Sequence, residues 1–271
     1  MTRRLVFGTL ILFAGGLIMF GFLERKMIYY PTHALEATPS AVGLDYEDVG
    51  IRTADGVRIH GWFVPRRDSR TTLLFFHGNA GNIGDRVENL KLLHDLGLNV
   101  LIVDYRGYGR SEGSPREEGL YRDADAAFSY LRSRQGVDPA RIAVFGRSLG
   151  GAVAVDLCSR VDCWRLVLEG AFTSAADMAR EIFPLLPLGH LLTERFASIE
   201  KISRVRAPLL QFHGTLDEVI PMELGRRLFQ AAGEPKEFVP VPGAGHNDVW
   251  TVGGKEYGEK IQAFLSEPDE P

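Results

Sequence analysis

Ile142-Ala143-Val144-Phe145-Gly146-Arg147-Ser148-Leu149-Gly150-Gly151 is the stretch on which the reading of this chain turns. A β-branched and aromatic run ends in Gly-x-Ser-x-Gly and passes into Ala152-Val153-Ala154-Val155, which favours helix. The pattern predicts a strand, a sharp turn and a helix, with Ser148 at the apex and its oxygen exposed. Gly146 and Gly150 carry no Cβ, so neighbouring backbone can crowd the turn. Gly and Ser are common, and an ordinary strand–helix turn would read alike. What separates the two is whether partners for the serine follow at suitable positions.

Outward from this turn, short apolar runs alternate with helical patterns. Strands are predicted at 46–52 and 57–64, joined through the hairpin signal Asp55-Gly56, and at 71–76, 100–103, 165–168, 208–212 and 237–241. A helix at 87–96 carries Leu90, Leu93 and Leu96 and stops at Gly97. Ser114-Pro115-Arg116-Glu117 reads as a capping box with Pro at the first helical position. The helix it opens carries Leu120, Ala124, Ala127, Phe128 and Leu131, and a closing helix is expected at 257–265. This alternation predicts an α/β fold, a mostly parallel sheet covered by helices on both faces.

In such sheets, sites form beyond the carboxyl ends of the strands. His77, Asp104, Ser148, Glu169, Asp217 and His246 all fall there. A serine hydroxyl needs a base to take its proton, and the base needs a carboxylate to fix its tautomer. His246 lies in the Gly-rich stretch Gly243-Ala244-Gly245-His246-Asn247-Asp248, and Asp217 ends His213-Gly214-Thr215-Leu216-Asp217. Ser148, Asp217 and His246 follow the chain order of one known arrangement of such residues. Taken singly, His246 reads equally well as a hydrogen-bonded loop histidine and Asp217 as a helix cap. Glu169 is the second candidate acid, read more readily as a structural residue, and Asp248 is too near His246 in sequence. Backbone donors for a developing negative charge are expected at Leu149 and Asn79, with Ala80 as the alternative to Asn79. His77 and His213 read as loop braces; His33, His60, His94 and His190 have no motif context. Arg147 suits either an anionic substrate group or a neighbouring acid.

His-Gly-Asn-Ala-Gly-Asn (77–82), Asp-Tyr-Arg-Gly-Tyr-Gly-Arg-Ser (104–111), Gly-Arg-Ser-Leu-Gly-Gly (146–151), His-Gly-Thr-Leu-Asp-Glu (213–218) and Gly-Ala-Gly-His-Asn-Asp (243–248) occur in this order. In this the chain resembles the α/β-hydrolase superfamily, and more narrowly the small membrane-anchored serine hydrolases related to acyl-protein thioesterases. The resemblance spans about 46–265. It implies Ser148 as nucleophile, Asp217 as acid and His246 as base, acting on an ester or thioester. It does not carry a substrate, because one fold hosts many reactions. The Cys-rich lipidated N-terminus of the eukaryotic thioesterases is absent here. A peptidase or amidase of the same fold is the alternative, and a non-catalytic binding protein a third reading. Serine at the turn argues against the branches that use an aspartate nucleophile there.

Composition sets the remaining bounds. The 271 residues are 45% hydrophobic and 24% charged, an ordinary globular mix. A net charge of -4 and the lack of a long basic run argue against a nucleic-acid partner. No His-Glu-x-x-His motif and no dinucleotide fingerprint is present, so no metal and no cofactor is expected. Cys158 and Cys163 read as two unlinked buried thiols rather than a bridge. Residues 5–23 are uncharged and apolar or small; as a helix at ~1.5 Å per residue they reach about 28 Å, near the thickness of a bilayer core. Bulky or charged residues from Phe20 to Met27 leave no cleavage site of a signal peptide. The expected division is a membrane anchor at 1–26, a tether at 27–43, an α/β-hydrolase domain at 44–266 and an acidic tail at 267–271. Lys and Arg tie across the anchor, and Glu24 tips the preference towards an extracytoplasmic domain. A lid insert is expected at about 173–206, apolar and twice broken by proline, as an acyl-pocket wall, a bilayer-facing surface or a packing cap.

Overall fold

Successive residues of a strand point to opposite faces of its sheet, and the central strands here are apolar on both. In β4 (Thr72–Phe76), Leu74 and Phe76 join one buried cluster and Leu73 and Phe75 the other. β7 (Ile142–Arg147) repeats this, with Ile142 and Val144 on the first side and Ala143 and Phe145 on the second. Such strands need cover on both faces. α3 (Glu117–Ser133) and α4 (Leu149–Cys158) cover the first, and α2 (Val87–Asp95) and α7 (Val249–Ser266) the second.

The computed structural model describes residues 21, 23–186, 189 and 191–266. Among these, an eight-stranded sheet runs in the order β10 (Lys236–Val241), β9 (Leu209–Gly214), β8 (Leu166–Glu169), β7, β4, β6 (Asn99–Val103), β3 (Arg58–Val64), β2 (Glu47–Arg52). β2 and β3 form the hairpin around Asp55-Gly56, and β3 is antiparallel to β6; the other neighbouring pairs are parallel. This is the mostly parallel, doubly covered sheet that the alternation predicts. The carboxyl ends of β4, β7, β8 and β9 therefore lie at one edge, followed by His77, Ser148, Gly170 and Thr215.

Several local expectations change. The capping box at 114–117 does not form: α3 starts at Glu117, and Arg116 before it is extended and gives no side-chain cap. Glu194 caps the helix from afar, its Oε2 accepting from the Glu117 amide at 2.5 Å, while the Glu117 carboxylate accepts from Tyr121 Oη at 2.7 Å. α7 begins at Val249, ahead of the expected 257, and kinks at Gly254, where φ is 49°. Cys158 and Cys163 are not separate thiols but a disulfide, with Cα atoms 5.6 Å apart. The chain turns back after α4 through Arg160 and Val161, whose amides both donate to the Leu157 carbonyl, and this returns Cys163 to the helix end. α6 (Met222–Ala231) follows β9.

Residues 27–43, read as a tether, are fastened to the domain. Tyr29 is buried, and β1 (Tyr30–Pro31) pairs parallel with β5 (Ala80–Gly81). The Asn82 side-chain amide donates to Thr32 Oγ1 at 2.8 Å and to the Ala34 carbonyl at 2.6 Å. Ahead of this lies a helical turn, α1 (residues 23–28). The expected anchor lies outside the described residues except for Gly21 and 23–26, and the tail at 267–271 lies outside them altogether. Among the described residues no helix is long and apolar enough to cross a membrane. The 173–206 insert contains α5 (Ala175–Ile182), capped by Ser174 through the Asp177 amide at 3.0 Å; residues 187, 188 and 190 are not described.

Candidate active site

Ser148 occupies the turn between β7 and α4 with φ 53° and ψ -119°, a conformation that L residues seldom adopt. Packing on both sides holds it there. Its amide donates to the Glu169 carbonyl at 2.9 Å, tying the turn to the end of β8. A Cβ on Gly150 would stand 2.0 Å from the Phe76 carbonyl oxygen, so the helix start fits against β4 only because that residue is glycine. Backbone strain kept by surrounding packing is common where a side chain must be presented to a substrate.

The structure brings Ser148, His246 and Asp217 into one hydrogen-bonded line. His246 Nε2 lies 3.0 Å from Ser148 Oγ, and Nδ1 lies 2.8 Å from Asp217 Oδ2. Asp217 can only accept when ionised, so Nδ1 carries the proton and Nε2 is free to receive one from the serine. The Asp217 side chain is fully buried. Burial alone would raise its carboxyl, but His213, His246 and the Ile220 amide hold it well below the usual carboxylate range. Val219 and Ile220 donate backbone N–H to Oδ1 at 3.0 and 2.7 Å. His213 Nε2 stands 3.3 Å from Oδ2 and 2.9 Å from the Ile220 carbonyl, so the histidine read as a loop brace also touches the acid.

Leu149 and Asn79, the residues whose amides are expected to face the reacting oxygen, line the same pocket as Ser148. Leu149 is the first residue of α4, so its N–H has no partner within the helix. Asn79 is fixed at three points. Its carbonyl accepts from Tyr108 Oη at 2.8 Å and from the Tyr30 amide at 3.1 Å, and its side chain donates to the Ile28 carbonyl at 2.9 Å. Ala80, the alternative, is paired with Tyr30 in the β1–β5 ladder.

The other candidates serve the framework. Glu169 Oε1 lies 2.9 Å from Arg147 Nε, and Tyr257 Oη donates to Oε2 at 2.6 Å. Arg147 thus pairs with the neighbouring acid, and its Nη2 also donates to the Asn247 carbonyl at 2.9 Å, beside His246. Burial and the Glu169 carboxylate push the Tyr257 phenol well above its ordinary range, so it remains a donor. Asp104 is buried, accepts from the Ile83 amide at 3.0 Å and stands 3.5 Å from His77 Nε2. Asp248 Oδ1 accepts from the Gly245 amide at 2.7 Å, a turn contact within the His246 loop. His60, without motif context, lies 2.5 Å from Asp48, and His190 lies outside the described residues.

Ser148 opens into a cavity of about 480 Å³, within the size range of small-ligand sites. Met178, Ala179, Ile182, Phe183 and Phe196 line it from the insert, Phe172 from just before the insert, and Val219 and Ile220 from the Asp217 loop. Leu23, Met27, Ile28 and Tyr30 line it as well. Sequence reasoning missed that last group, since a run of apolar residues after a hydrophobic segment carries no signal of where it folds back.

A Gly-x-Ser-x-Gly turn at the carboxyl edge of a mostly parallel sheet, with a histidine and an acid supplied by later loops, defines an α/β hydrolase. Comparison with known proteins agrees. The family described as serine aminopeptidase, S33, matches residues 67–199. The uncharacterized protein Rv2307c of Mycobacterium tuberculosis is 44% identical over 94% of this chain and 92% of its own length. The α/β hydrolase domain-containing protein WAV2 of Arabidopsis thaliana is 35% identical over 93% of this chain and 92% of its own. The chain belongs to the α/β-hydrolase superfamily. Among solved structures, the Pyrococcus furiosus esterase Pf2001 superposes with a TM-score of 0.73 at 22% identity, covering 88% of this chain and 96% of that one. Acetyl xylan esterase 1 of Thermoanaerobacterium gives 0.63 at 20% identity, covering 82% and 83%. These two likenesses bear on the fold.

Arg147 provides a test of how the hydrolase site is positioned. Lysine would keep a positive charge near Glu169 but lose the fork that also holds the Asn247 carbonyl. Arg147→Lys is expected to lower kcat roughly tenfold to a hundredfold through a misplaced His246 loop. KM for a small soluble ester should move little. Steady-state kinetics separating kcat from KM check this.

Proposed function

We propose that this protein is a membrane-anchored serine hydrolase that cleaves an ester or thioester through an acyl-enzyme. The observation that carries the reading is the Asp217–His246–Ser148 line opening into an apolar cavity. Ser148 Oγ attacks the substrate carbonyl carbon while its proton passes to His246 Nε2. The carbonyl π electrons move onto oxygen, and the amides of Leu149 and Asn79 stabilise that oxyanion. Collapse expels the alcohol or thiol, which takes the proton from His246, and leaves the acyl group on Ser148. Water, deprotonated by His246, then attacks the acyl carbon and restores the serine. Asp217 stays ionised throughout and stabilises the imidazolium. No step calls on a metal or cofactor.

The apolar run at 5–23 supports the anchor by its length and lack of charge. The Cys158–Cys163 disulfide supports an oxidising, extracytoplasmic setting for the domain. A peptidase or amidase reading has one specific observation behind it, the match to a family described as serine aminopeptidase. An aminopeptidase needs a carboxylate free to bind the substrate's amine. Glu24 is the one charged lining residue of the pocket among the described residues, and its oxygens already accept from the Thr193 amide, Thr193 Oγ1 and the Glu194 amide. This favours the ester or thioester. Turnover of p-nitrophenyl esters and acyl thioesters, set against amino-acid p-nitroanilides, tests it. The expected result is ester kcat/KM at least a hundredfold above anilide; the reverse order would replace this reading with the amidase one.

A further inference from the structure

Beyond Ser148, the strand order β7, β4, β6, β3, β2 sets a second line of polar side chains across the sheet. His77 follows β4, Asp104 follows β6, His60 lies in β3 and Asp48 in β2. His77 and Asp104 are fully buried, and the His60 side chain is 12% exposed. Asp104 Oδ1 stands 3.5 Å from His77 Nε2, and Oδ2 stands 3.9 Å from His60 Nδ1. His60 Nε2 in turn lies 2.5 Å from Asp48 Oδ1. Among the described residues, His77 Nε2, Asp104 Oδ2 and His60 Nδ1 are buried without a hydrogen-bond partner. Each instead stands at ion-pair distance from another member of the line, an arrangement that calls for an electrostatic reason.

An ionised Asp48 only accepts, so His60 Nε2 carries a proton. A second proton, on Nδ1, turns the lone pair that faces Asp104 into an N–H. Burial alone would lower the His60 pKa, but Asp104 and Asp48 raise it above the usual histidine value. Burial alone would likewise raise Asp104, but His60, His77 and the Ile83 amide hold it below the usual carboxylate range. His60 thus forms a cation behind Asp104. With that charge in place, a proton between Asp104 and His77 belongs on the ring nitrogen; without it, the proton passes to the carboxyl and the ring becomes neutral.

The other side of the His77 ring meets the loop whose Asn79 amide is proposed to bind the reacting oxygen. Nδ1 lies 2.7 Å from the Gly78 carbonyl, which only accepts, so Nδ1 is protonated. Tyr105 and Tyr108 donate to the carbonyls on either side, those of His77 and Asn79, each at 2.8 Å. The Gly78 carbonyl and the Asn79 N–H are the two ends of one trans peptide, so that N–H points away from the His77 ring. A cationic ring is the stronger donor to the carbonyl, and a stronger bond there polarises the N–H at the far end. Resting on the serine-hydrolase reading, we propose that His60, Asp104 and His77 are positioning residues for the oxyanion donor. His60 keeps Asp104 ionised, Asp104 keeps a proton on His77 Nε2, and the His77 cation orients and polarises the Gly78–Asn79 peptide.

The test compares wild type with His60→Gln, His77→Asn and the double variant, all as the full chain. His77→Asn places an amide N–H where Nδ1 stands and so keeps the brace on Gly78, but it cannot reach Asp104. His60→Gln keeps a donor for Asp48 but puts no charge beside Asp104. Each single change is expected to lower kcat for p-nitrophenyl butyrate about tenfold, less than the loss of a whole oxyanion donor, with KM within about twofold of wild type. Ki for an alkyl trifluoromethyl ketone, whose adduct with Ser148 places an oxyanion at the same amides, should rise by the same factor. The double variant should fall no further than the less active single one, as members of one network do. Imidazole nitrogen-15 spectra should show both ring nitrogens of His77 protonated in wild type and only one in His60→Gln. Wild-type kcat and Ki in His60→Gln, multiplicative losses in the double variant, or a singly protonated His77 in wild type would overturn the proposal while leaving the serine-hydrolase reading intact. Should His77→Asn fail to fold, the kinetics and spectra of His60→Gln decide alone. No turnover of the ester by wild type would overturn that reading and the proposal with it.

Discussion

Ser148→Ala and His246→Ala are each expected to lower ester kcat by about four to six orders of magnitude, and the double variant by no more than either single change. On the proposed mechanism the two residues act as one unit. Without Oγ there is no nucleophile for the base to activate, and without His246 Nε2, 3.0 Å away, the hydroxyl keeps its proton. The turnover that survives should come from amides that still stabilise the oxyanion during attack by water. Neither change should unfold the protein, since neither side chain belongs to the buried apolar clusters. Stopped-assay kinetics on p-nitrophenyl butyrate, with thermal melts of the same samples, separate loss of chemistry from loss of fold. Multiplicative losses in the double variant would show that the two residues do not act together.

Gly150→Ala should have the largest effect on stability for its size. The added methyl would stand 2.0 Å from the Phe76 carbonyl oxygen and 2.7 Å from that of His77. Both are backbone atoms at the end of a central strand and cannot swing aside. Overpacking of this kind costs about 3 kcal/mol or more, which for a domain of this size lowers Tm by roughly 6–12 °C. Turnover should also fall, because the same contact sets the position of Ser148. Gly151→Ala is the internal comparison. Its methyl meets the Ala171 side chain at 3.3 Å and backbone atoms of Ala171 and Gly146 at 3.7 Å, and the gain in helix propensity of roughly 1 kcal/mol offsets a tight but yielding contact. Equal melting temperatures for the two variants would contradict the packing described for the turn.

What the sequence made legible follows from the range of the interactions involved. The sheet was readable because β4 and β7 are buried on both faces and so carry unbroken apolar runs, Leu73–Phe76 and Ile142–Phe145. The hairpin was readable because Asp55-Gly56 carries its own turn preference. Ser148, Asp217 and His246 could be picked out together because each follows a strand of one parallel sheet, which brings them to one edge whatever the intervening loops do. The start of α3 was misread because its cap is Glu194, which no local rule can supply. The disulfide was missed because pairing depends on how the chain turns after α4. The docking of 23–43 was invisible for a similar reason. Tyr29 and Glu24 look unremarkable in sequence and gain meaning only from Glu194 and Thr193, which lie 165 and 169 residues further along the chain.

The central claim is that Ser148 is a nucleophile activated by its neighbours. The most direct measurement is to expose the full chain to an alkyl fluorophosphonate and locate the added mass by peptide mapping. The account predicts stoichiometric phosphonylation at Ser148 in the wild type, none in Ser148→Ala, and labelling of His246→Ala slowed by orders of magnitude. A folded wild-type protein that takes up no label, or takes it up at another residue, would contradict it.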